Sequence, residues 1–245
     1  MSVPRFYCST LSHHGSTLEL PPEAAHHAQR VLRLRENDRV QVFDGEGNAL
    51  DAAISEISGR RVVLGKLKLC AGEQPSPLHI VLAQAMCSSE KMDWIVQKAT
   101  ELGAAEIQPV QTQRSVAKLT GERIEKRTAH WRSVVISACE QCGRNLLPKI
   151  HAPQEFSTWL AEVRDTPGAK FILLPESATT LHEQPKPQEV VTLLIGPEGG
   201  FSTDEAQLAR QAGFIPVRLG THVLRTETAA VAGITALQIL WGDFK

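Results

Sequence analysis

The spacing of apolar residues differs between the first third of the chain and the rest. In the first third, short segments such as residues 39–43 alternate polar and apolar side chains, and this period of two predicts strands with one buried face. Residues 44–48 contain two glycines and predict a hairpin turn. A second strand pair is predicted at residues 49–57 and 61–69, and one helix at residues 22–34.

Beyond residue 77 the pattern changes to strands that alternate with helices. Strands are predicted at residues 78–85, 106–110, 171–174, 190–195 and 214–219. Helices are predicted at residues 89–102, 122–142, from a Ser202 and Glu205 capping box to Gly213, and at 227–241. This alternation predicts an α/β domain with a parallel sheet. In the last helix, residues at helical spacing are predicted to lie in the core: Val231, Ile234, Leu237 and Trp241.

The segment 72–77 is the best candidate for a linker, because it is rich in turn-forming residues and is followed by the change of period. The chain is therefore predicted to contain two domains, 1–72 and 73–245. Its 245 residues are enough for two small domains with cores of their own.

Two glycine-containing junctions stand out in the second domain. Residues 190–195 form an uncharged run typical of a strand buried on both faces, and the run ends in the turn 196–200, where three glycines let backbone approach a ligand closely. A second junction repeats this plan, because the strand at 214–219 ends at Gly220 and residues 223–228 lead into the last helix. Parallel sheets bind ligands at the carboxyl ends of their strands, so the two junctions predict a crevice there. Each turn taken alone is equally typical of an ordinary connection.

The charge is unevenly distributed along the chain. Residues 1–150 contain 19 Lys and Arg against 16 Asp and Glu, whereas residues 151–245 contain 7 against 11. A polyanionic partner is therefore expected at the N-terminal part. Three arginines lie close together on the predicted helix, Arg30, Arg33 and Arg35, and Arg5 precedes them. Their spacing alone is compatible with RNA contact and with a solvated surface.

The cysteines and histidines indicate neither disulfides nor a metal site. Five irregularly spaced cysteines predict a reduced, cytoplasmic setting. The sequence lacks both an apolar run near the ~20 residues that span a bilayer and the apolar segment of a secretory signal, so no membrane partner is expected. No metal is expected, because Cys139 and Cys142 lack a second pair and four histidines lack partners at ligand spacing: His13, His14, His26 and His27.

Several segments resemble one known family when they are taken together. They are LLIGPEGGFS at 193–202, LGTHVLRTETA at 219–229, EKMDWIVQKATELG at 90–103, Gln113-Arg114-Ser115, Glu140-Gln141-Cys142-Gly143-Arg144 followed by Pro148, and His27 with Val31-Leu32-Arg33. In this combination and order they resemble the RsmE family of the SPOUT superfamily, which methylates N3 of a uridine in 16S ribosomal RNA. Gln113 departs from the family pattern, where an acidic residue is usual.

The resemblance implies a fold and partners beyond those that the pattern predicts. The second domain is expected to be a SPOUT-type parallel sheet with a C-terminal trefoil knot, and the first a small PUA-like β-barrel that binds RNA. The expected substrate is 16S ribosomal RNA or the assembled small ribosomal subunit. A homodimer is expected, with the C-terminal helix and the cofactor loops at its interface.

The resemblance also implies site residues. S-adenosyl-L-methionine is the expected cofactor, held by loop residues of the crevice: Leu174, Pro175, Ile195, Gly196, Pro197, Glu198, Gly199, Gly200, Leu219, Gly220, Val223, Leu224, Arg225, Thr226 and Thr228. RNA contacts are expected from six arginines: Arg5, Arg30, Arg33, Arg35, Arg114 and Arg144.

The catalytic candidates are Arg225 and Glu198. A guanidinium stays protonated and cannot be a base, but it can stabilise negative charge that develops on uracil oxygens. Glu198 and Glu227 are carboxylates that can accept a proton, and both equally suit structural roles, at a turn and at a helix start.

Three alternatives remain open from the sequence. A SPOUT methyltransferase with another RNA target is the nearest. A ribosome-assembly or RNA-binding protein without catalysis is the second, although the glycine turn and residues 224–228 are intact. An enzyme that acts on a small molecule in the same crevice is the third, and it leaves the basic N-terminal domain without a purpose.

Overall fold

The computed structural model describes residues 3–11, 16–116 and 118–244, so the predictions for His13 and His14 lie outside the described residues. The chain forms two compact units. The first comprises Met1–Pro75 and Ile136–Leu147, and the second comprises Ser76–Val135 and Pro148–Lys245.

The first unit is built on a five-stranded sheet. Its strands are β1 (Arg5–Tyr7), β2 (Leu18–Glu19), β3 (Arg39–Phe43), β4 (Ala49–Ser58) and β5 (Arg61–Leu69), and their order in the sheet is β1-β3-β4-β5-β2. β1 and β3 are parallel and the other neighbours are antiparallel. The predicted hairpin at 44–48 is confirmed, because β3 and β4 pair directly across it. The carboxylate of Asp44 stabilises this turn by accepting hydrogen bonds from the backbone of Glu46 and Asn48.

The prediction of one helix at 22–34 is wrong in its second half. The α-helix α1 covers Pro22–His26 and continues as a π-helical turn at His27–Val31, which ends with Leu32 N donating to His27 O. Arg33 then adopts a left-handed backbone with φ 54°. After this reversal Leu34 is partly buried and packs against the core of the unit. Arg33 and Arg35 therefore lie beyond the helix.

The second unit contains a parallel sheet, as predicted. Its strands are β6 (His79–Ala85), β7 (Glu106–Gln111), β8 (Lys149–Ile150), β9 (Gln154–Glu155), β10 (Ala169–Leu173), β11 (Val190–Ile195) and β12 (Ile215–Val217). The order is β12-β10-β11-β6-β7-β8, with β9 also paired to β7, and all of these pairs are parallel. The pattern missed β8 and β9, since two residues are too few for a period, and β12 is shorter than the predicted 214–219.

Five helices accompany this sheet: α2 (Ser89–Glu101), α3 (Glu122–Cys142), α4 (Phe156–Val163), α5 (Thr203–Gln211) and α6 (Thr226–Trp241). Residues 122–135 of α3 belong to the second unit and the rest of that helix to the first. The capping box at the start of α5 is confirmed, because Ser202 and Glu205 exchange hydrogen bonds through their side chains and backbone. The pattern missed α4, which buries Phe156 and Trp159.

The last helix, α6, follows the predicted core pattern at three positions of four. Ile234, Leu237 and Trp241 are buried, but Val231 is only half-buried. The prediction for Val231 rested on helical spacing alone. Ala230 and Gln238 are buried on the core-facing side of α6. Among the described residues, none of the helices combines the length and apolarity that crossing a bilayer requires.

Candidate active site

The predicted crevice lies at the carboxyl ends of β10, β11 and β12. β10 pairs with both β11 and β12, so the loops that follow the three strands meet at one edge of the sheet. They enclose a cavity of about 560 Å³. It is lined by fourteen of the predicted cofactor residues: Leu174, Pro175, Ile195, Gly196, Pro197, Glu198, Gly199, Gly200, Leu219, Gly220, Val223, Leu224, Arg225 and Thr226.

Thr228 is the predicted cofactor residue that does not line this cavity. Because α6 begins at Thr226, positions three apart share a helix face, and Thr226 and Ala229 line the cavity together. Thr228 is turned away from that face and is exposed.

The glycine turn 196–200 is closely packed. A Cβ on Gly196 would lie 3.1 Å from the ring of Phe201, and a Cβ on Gly199 would lie 3.3 Å from the side chain of Arg114. Gly200 adopts a φ of 67°, a conformation that side chains with a Cβ rarely adopt. A Cβ would therefore be tightly packed at two positions of the turn, and the backbone conformation favours glycine at a third.

A chain of hydrogen bonds fixes the first turn of α6 to this loop. The hydroxyl of Thr226 donates to Gly196 O at 2.6 Å, and the side-chain amide of Gln84 donates to the same hydroxyl at 2.9 Å. Gln84 and Thr226 are buried, so water does not compete for these bonds. Gln84 is the penultimate residue of β6, far away in sequence, and the sequence pattern did not indicate that it belongs to the site.

Lys91 is a further site residue that sequence reasoning missed. Its ammonium lies 3.3 Å from Glu198 and 3.5 Å from Glu227, so one cation in α2 bridges the glycine turn and the first turn of α6. Although desolvation works against the charge, the two carboxylates raise the pKa of Lys91. Desolvation likewise works to raise the pKa of Glu198, but hydrogen bonds from backbone N–H groups, including that of Ser88, and from Lys91 lower it overall. Both groups are held in their charged forms.

Arg225 lies at the mouth of the crevice and precedes α6. Its backbone is extended, with φ −64° and ψ 153°, and it is exposed. Its guanidinium has no hydrogen-bond or ion-pair partner among the described residues, and it lines the cavity together with Arg218 and His222. A positive group without an internal partner is suited to meet negative charge on a substrate.

The six predicted RNA-binding arginines lie in three kinds of environment. Arg30, Arg33 and Arg35 are exposed around the π-helical turn. Arg114 lies at the crevice and donates to Gly199 O at 2.9 Å. Arg144 is partly buried.

Arg5 is partly buried, as Arg144 is, and its guanidinium is engaged within the first unit. It donates to Arg144 O at 3.0 Å, to Asn145 at 2.6 Å and to Gln41, and it lies over the ring of Phe43. Burial lowers its pKa. A phosphate contact by Arg5 would have to replace these interactions.

The cysteine pair shows no sign of redox or metal chemistry. Cys139 is buried and Cys142 exposed, and both are free thiols. Burial raises the pKa of Cys139 to about 12, which suppresses its reactive thiolate. The part of the chain that the structure describes contains no cluster of three or more His, Cys, Asp or Glu side chains able to hold a metal ion.

Comparison with known proteins identifies the family. An RNA methyltransferase domain model matches residues 74–238, and an RNA methyltransferase PUA domain model matches residues 20–67. A protein of Buchnera aphidicola (subsp. Schizaphis graminum) named Ribosomal RNA small subunit methyltransferase E is 35% identical over 241 residues, which cover 98% of each chain. The chain belongs to that family.

Solved structures extend the likeness of this methyltransferase E family member to the whole fold. The ribosomal RNA small subunit methyltransferase E of Neisseria gonorrhoeae, solved bound to S-adenosyl methionine, is 38% identical, with a TM-score of 0.91 over 100% of both chains. A Legionella pneumophila protein solved in complex with the bound cofactor SAM is 36% identical, with a TM-score of 0.93 over 100% of both chains. The mixed α/β fold with a parallel sheet and a separate PUA-like domain is thus that of the family.

Proposed function

We propose that this chain methylates N3 of a uridine in 16S ribosomal RNA of the small subunit, with S-adenosyl-L-methionine as the methyl donor. The observation that carries this is the intact crevice at the ends of β10, β11 and β12 in a methyltransferase E family member. The Neisseria relative that shares the fold binds S-adenosyl methionine.

The residues of the crevice fit the cofactor. A volume of about 560 Å³ lies within the range of roughly 300–1,000 Å³ of small-molecule sites. Apolar side chains suit an adenine ring, among them Ile195, Leu219 and Leu224, and the glycine turn offers backbone where a Cβ would intrude. The carboxylate of Glu198 in the lining suits a cationic ligand.

When bound, S-adenosyl-L-methionine supplies an electrophilic methyl group. Loss of the uracil N3 proton leaves negative charge shared between N3 and the ring oxygens. N3 would then bond to the methyl carbon while the bond from that carbon to the donor sulfur breaks, so that S-adenosylhomocysteine leaves. We propose that Arg225 stabilises this charge. Glu198 stays a catalytic proposal with a specific difficulty: its pKa is lowered and its carboxylate is held by Lys91, so it is a weak base. The alternative is that N3 loses its proton to solvent before the methyl group is transferred.

We further propose that RNA lies against the surface around the π-helical turn. Arg30, Arg33 and Arg35 are exposed there beside two exposed apolar side chains, Val31 at 63% and Leu32 at 40%. Proteins bind single-stranded RNA by combining cations that contact phosphates with apolar groups that contact bases, and this surface offers both. Arg114 and Arg144 are proposed as further RNA contacts. Arg5 is also proposed as an RNA-site residue, whose guanidinium supports Arg144 and Asn145 by donating hydrogen bonds to them. The first domain, residues 1–72, is thus proposed as the RNA-binding domain and 73–245 as the catalytic one.

The remaining proposals concern assembly. A homodimer through α6 is supported by the exposed apolar side chains at its end, Ile239 at 62% and Leu240 at 41%. The trefoil knot, the closure of the N-terminal sheet into a barrel and a cytoplasmic location are proposed from the family resemblance. Sedimentation of the purified protein tests the dimer, since a monomer at micromolar concentration would contradict it.

Methyl transfer with identification of the product tests the function. The protein is incubated with labelled S-adenosyl-L-methionine and with small subunits or naked 16S ribosomal RNA from cells that lack its gene, and the modified nucleoside is identified by mass spectrometry. We expect 3-methyluridine in 16S RNA, and the better substrate shows at which stage the enzyme acts. Label in another RNA or on another atom contradicts the specificity. Cofactor binding without transfer favours the non-catalytic alternative.

A further inference from the structure

A second cavity lies at the other end of the parallel sheet, and we call it the amino-edge cavity. It is lined by the first residues of β6, β7 and β11, namely His79, Glu106 and Val190, and by side chains of α4. Its volume of about 750 Å³ is within the roughly 300–1,000 Å³ of small-molecule sites. The cofactor crevice lies at the opposite, carboxyl edge of the same sheet, so the proposed methyl transfer leaves this cavity without a role.

Three nearly buried polar side chains line this cavity. Gln108, Thr192 and Trp159 are 5%, 7% and 3% exposed. The amide nitrogen of Gln108 donates to Pro109 O at 2.8 Å and to Ala152 O at 3.0 Å. These bonds fix the amide, and its oxygen accepts no hydrogen bond from the described residues.

The polar groups of Thr192 and Trp159 resemble the oxygen of Gln108 in their hydrogen bonding. Neither the hydroxyl of Thr192 nor the indole N–H of Trp159 makes a hydrogen bond with the described residues. All three side chains line the cavity, so water or a ligand can satisfy their polar groups. One acceptor, one donor and one hydroxyl at the wall of one cavity suit a ligand with both donors and acceptors.

A histidine pair held by one carboxylate forms another part of the wall. Glu106 contacts His79 Nε2 at 2.9 Å and His151 Nε2 at 2.6 Å. The hydrogen bond from His151, with support from His79, lowers the pKa of Glu106 to about 2, so the carboxylate is ionised and both rings donate to it. These contacts fix the orientation of both rings at the wall of the cavity and use Nε2 of each ring.

The charges of the lining restrict the class of ligand. Three carboxylates line the cavity, Glu106, Glu162 and Glu189, and the lining includes neither Lys nor Arg among the described residues. Phosphates and carboxylates are therefore disfavoured. Glu106 is shared by two imidazoles and Glu162 accepts two bonds from Gln154, so these carboxylates already have partners. Val81, Val163 and Pro167 add an apolar wall beside Trp159.

We propose that the amino-edge cavity binds an uncharged flat heterocycle with an amide edge, of the size of a nucleobase or nucleoside. The N–H of such an edge donates to the oxygen of Gln108, and its carbonyl accepts from Thr192 or Trp159. The ring lies against the apolar wall. This site is separate from the cofactor crevice and needs no RNA.

Inosine is a suitable probe, because it carries an amide edge and differs from the uridine substrate. The cofactor crevice is first saturated with S-adenosylhomocysteine. Binding is followed through the indole N–H resonance of Trp159, assigned with Trp159→Phe. We expect a saturable shift with inosine and at least about tenfold weaker binding of 1-methylinosine, which lacks the donor N–H, since a lost hydrogen bond has this effect.

Two variants test the wall, and a third is the control. Thr192→Val and Gln108→Met each weaken inosine binding about tenfold, whereas Arg132→Met on the exposed face of α3, outside both cavities, leaves it unchanged. Melting temperatures establish that each variant is folded. If one wall variant does not fold, inosine binding by the other is sufficient for the test. No saturable shift with inosine overturns the proposal. Equal binding of 1-methylinosine, or displacement of inosine by spermidine, also overturns it, the latter in favour of a cation site.

Discussion

Arg225 is the side chain on which the proposed chemistry depends most. The other cations at the crevice that hold the loops have internal partners: Lys91 bridges Glu198 and Glu227, and Arg114 holds the carbonyl of Gly199. Arg225 has none among the described residues, so its charge is available to a substrate. The sequence motif indicated that Arg225 is important. Only the structure shows that it differs from Lys91 and Arg114, whose side chains are bound to the loops.

Replacement of Arg225 by Met should therefore slow the chemical step. We expect the single-turnover rate at saturating RNA to fall about 100-fold, because loss of one donor to developing charge costs about 3 kcal/mol of barrier. The affinity for S-adenosyl-L-methionine should change little. Arg132→Met on the exposed face of α3 is the control. A rate within twofold of wild type would remove Arg225 from the catalytic step.

Residues were predictable where a local motif named them and not where distant strands meet. The glycine turn is visible in the sequence because its residues are consecutive. Gln84 and Lys91 became visible only in the fold, because strand pairing and helix packing bring them to the loop from more than a hundred residues away. Their side chains carried no periodic signal. Glu106, at the other end of the sheet, likewise meets its partners His79 and His151 only once the strands pair.

At the scale of elements, Glu106 joins three strands of the parallel sheet. It begins β7 and accepts hydrogen bonds from His79 at the start of β6 and from His151 next to β8. Such links between strand ends stabilise a sheet only while the carboxylate is ionised.

Glu106→Gln should thus lower stability in a pH-dependent manner. The folded pKa of about 2 lies below the ordinary value of 4.5. The contribution is therefore complete above about pH 4.5 and is lost as the pH falls toward 2. We expect denaturant unfolding at pH 6 to show a loss of about 1–3 kcal/mol. Wild type and variant should converge as the acid range is entered. A constant difference down to pH 3 would show that the carboxylate charge contributes nothing.

Elements with a long, clear pattern were predicted to within a residue or two. The bounds of α3 and β11 agree with the predicted ranges, since each has a sustained apolar repeat and a distinct end. The helix at 22–34 was not predictable, because no glycine or proline marks the reversal at Arg33. After the reversal Leu34 packs against the core of the unit, and a local pattern does not contain such tertiary contacts.

At the scale of the whole molecule, the proposed RNA-binding surface and the proposed cofactor crevice belong to different units. The exposed arginines around the π-helical turn belong to the first unit, and the crevice belongs to the second. The alternation of strands and helices was sufficient to predict the parallel sheet. The proposed knot and the proposed dimer would depend on threading and on a second chain, which spacing along one chain does not report.

Arg33→Glu separates the two functions. We expect about tenfold weaker binding of 16S RNA, because a phosphate contact is replaced by repulsion, and a shallower dependence of affinity on salt. Cofactor affinity should be unchanged. Filter binding over a range of salt concentrations measures the first effect. Arg132→Glu makes the same charge change outside the proposed surface, and an equal loss in that variant would show that only net charge matters.

The most direct test of the central claim is a calorimetric titration of S-adenosyl-L-methionine into wild type, Gly196→Val and Gly72→Val. A Cβ at Gly196 lies 3.1 Å from Phe201 within the crevice, whereas one at the exposed Gly72 has no neighbour within 3.4 Å. The account predicts that Gly196→Val folds and loses at least about tenfold in affinity, while Gly72→Val binds as wild type does. Undiminished affinity in a folded Gly196→Val protein would contradict the account, because the cofactor would then bind outside this crevice.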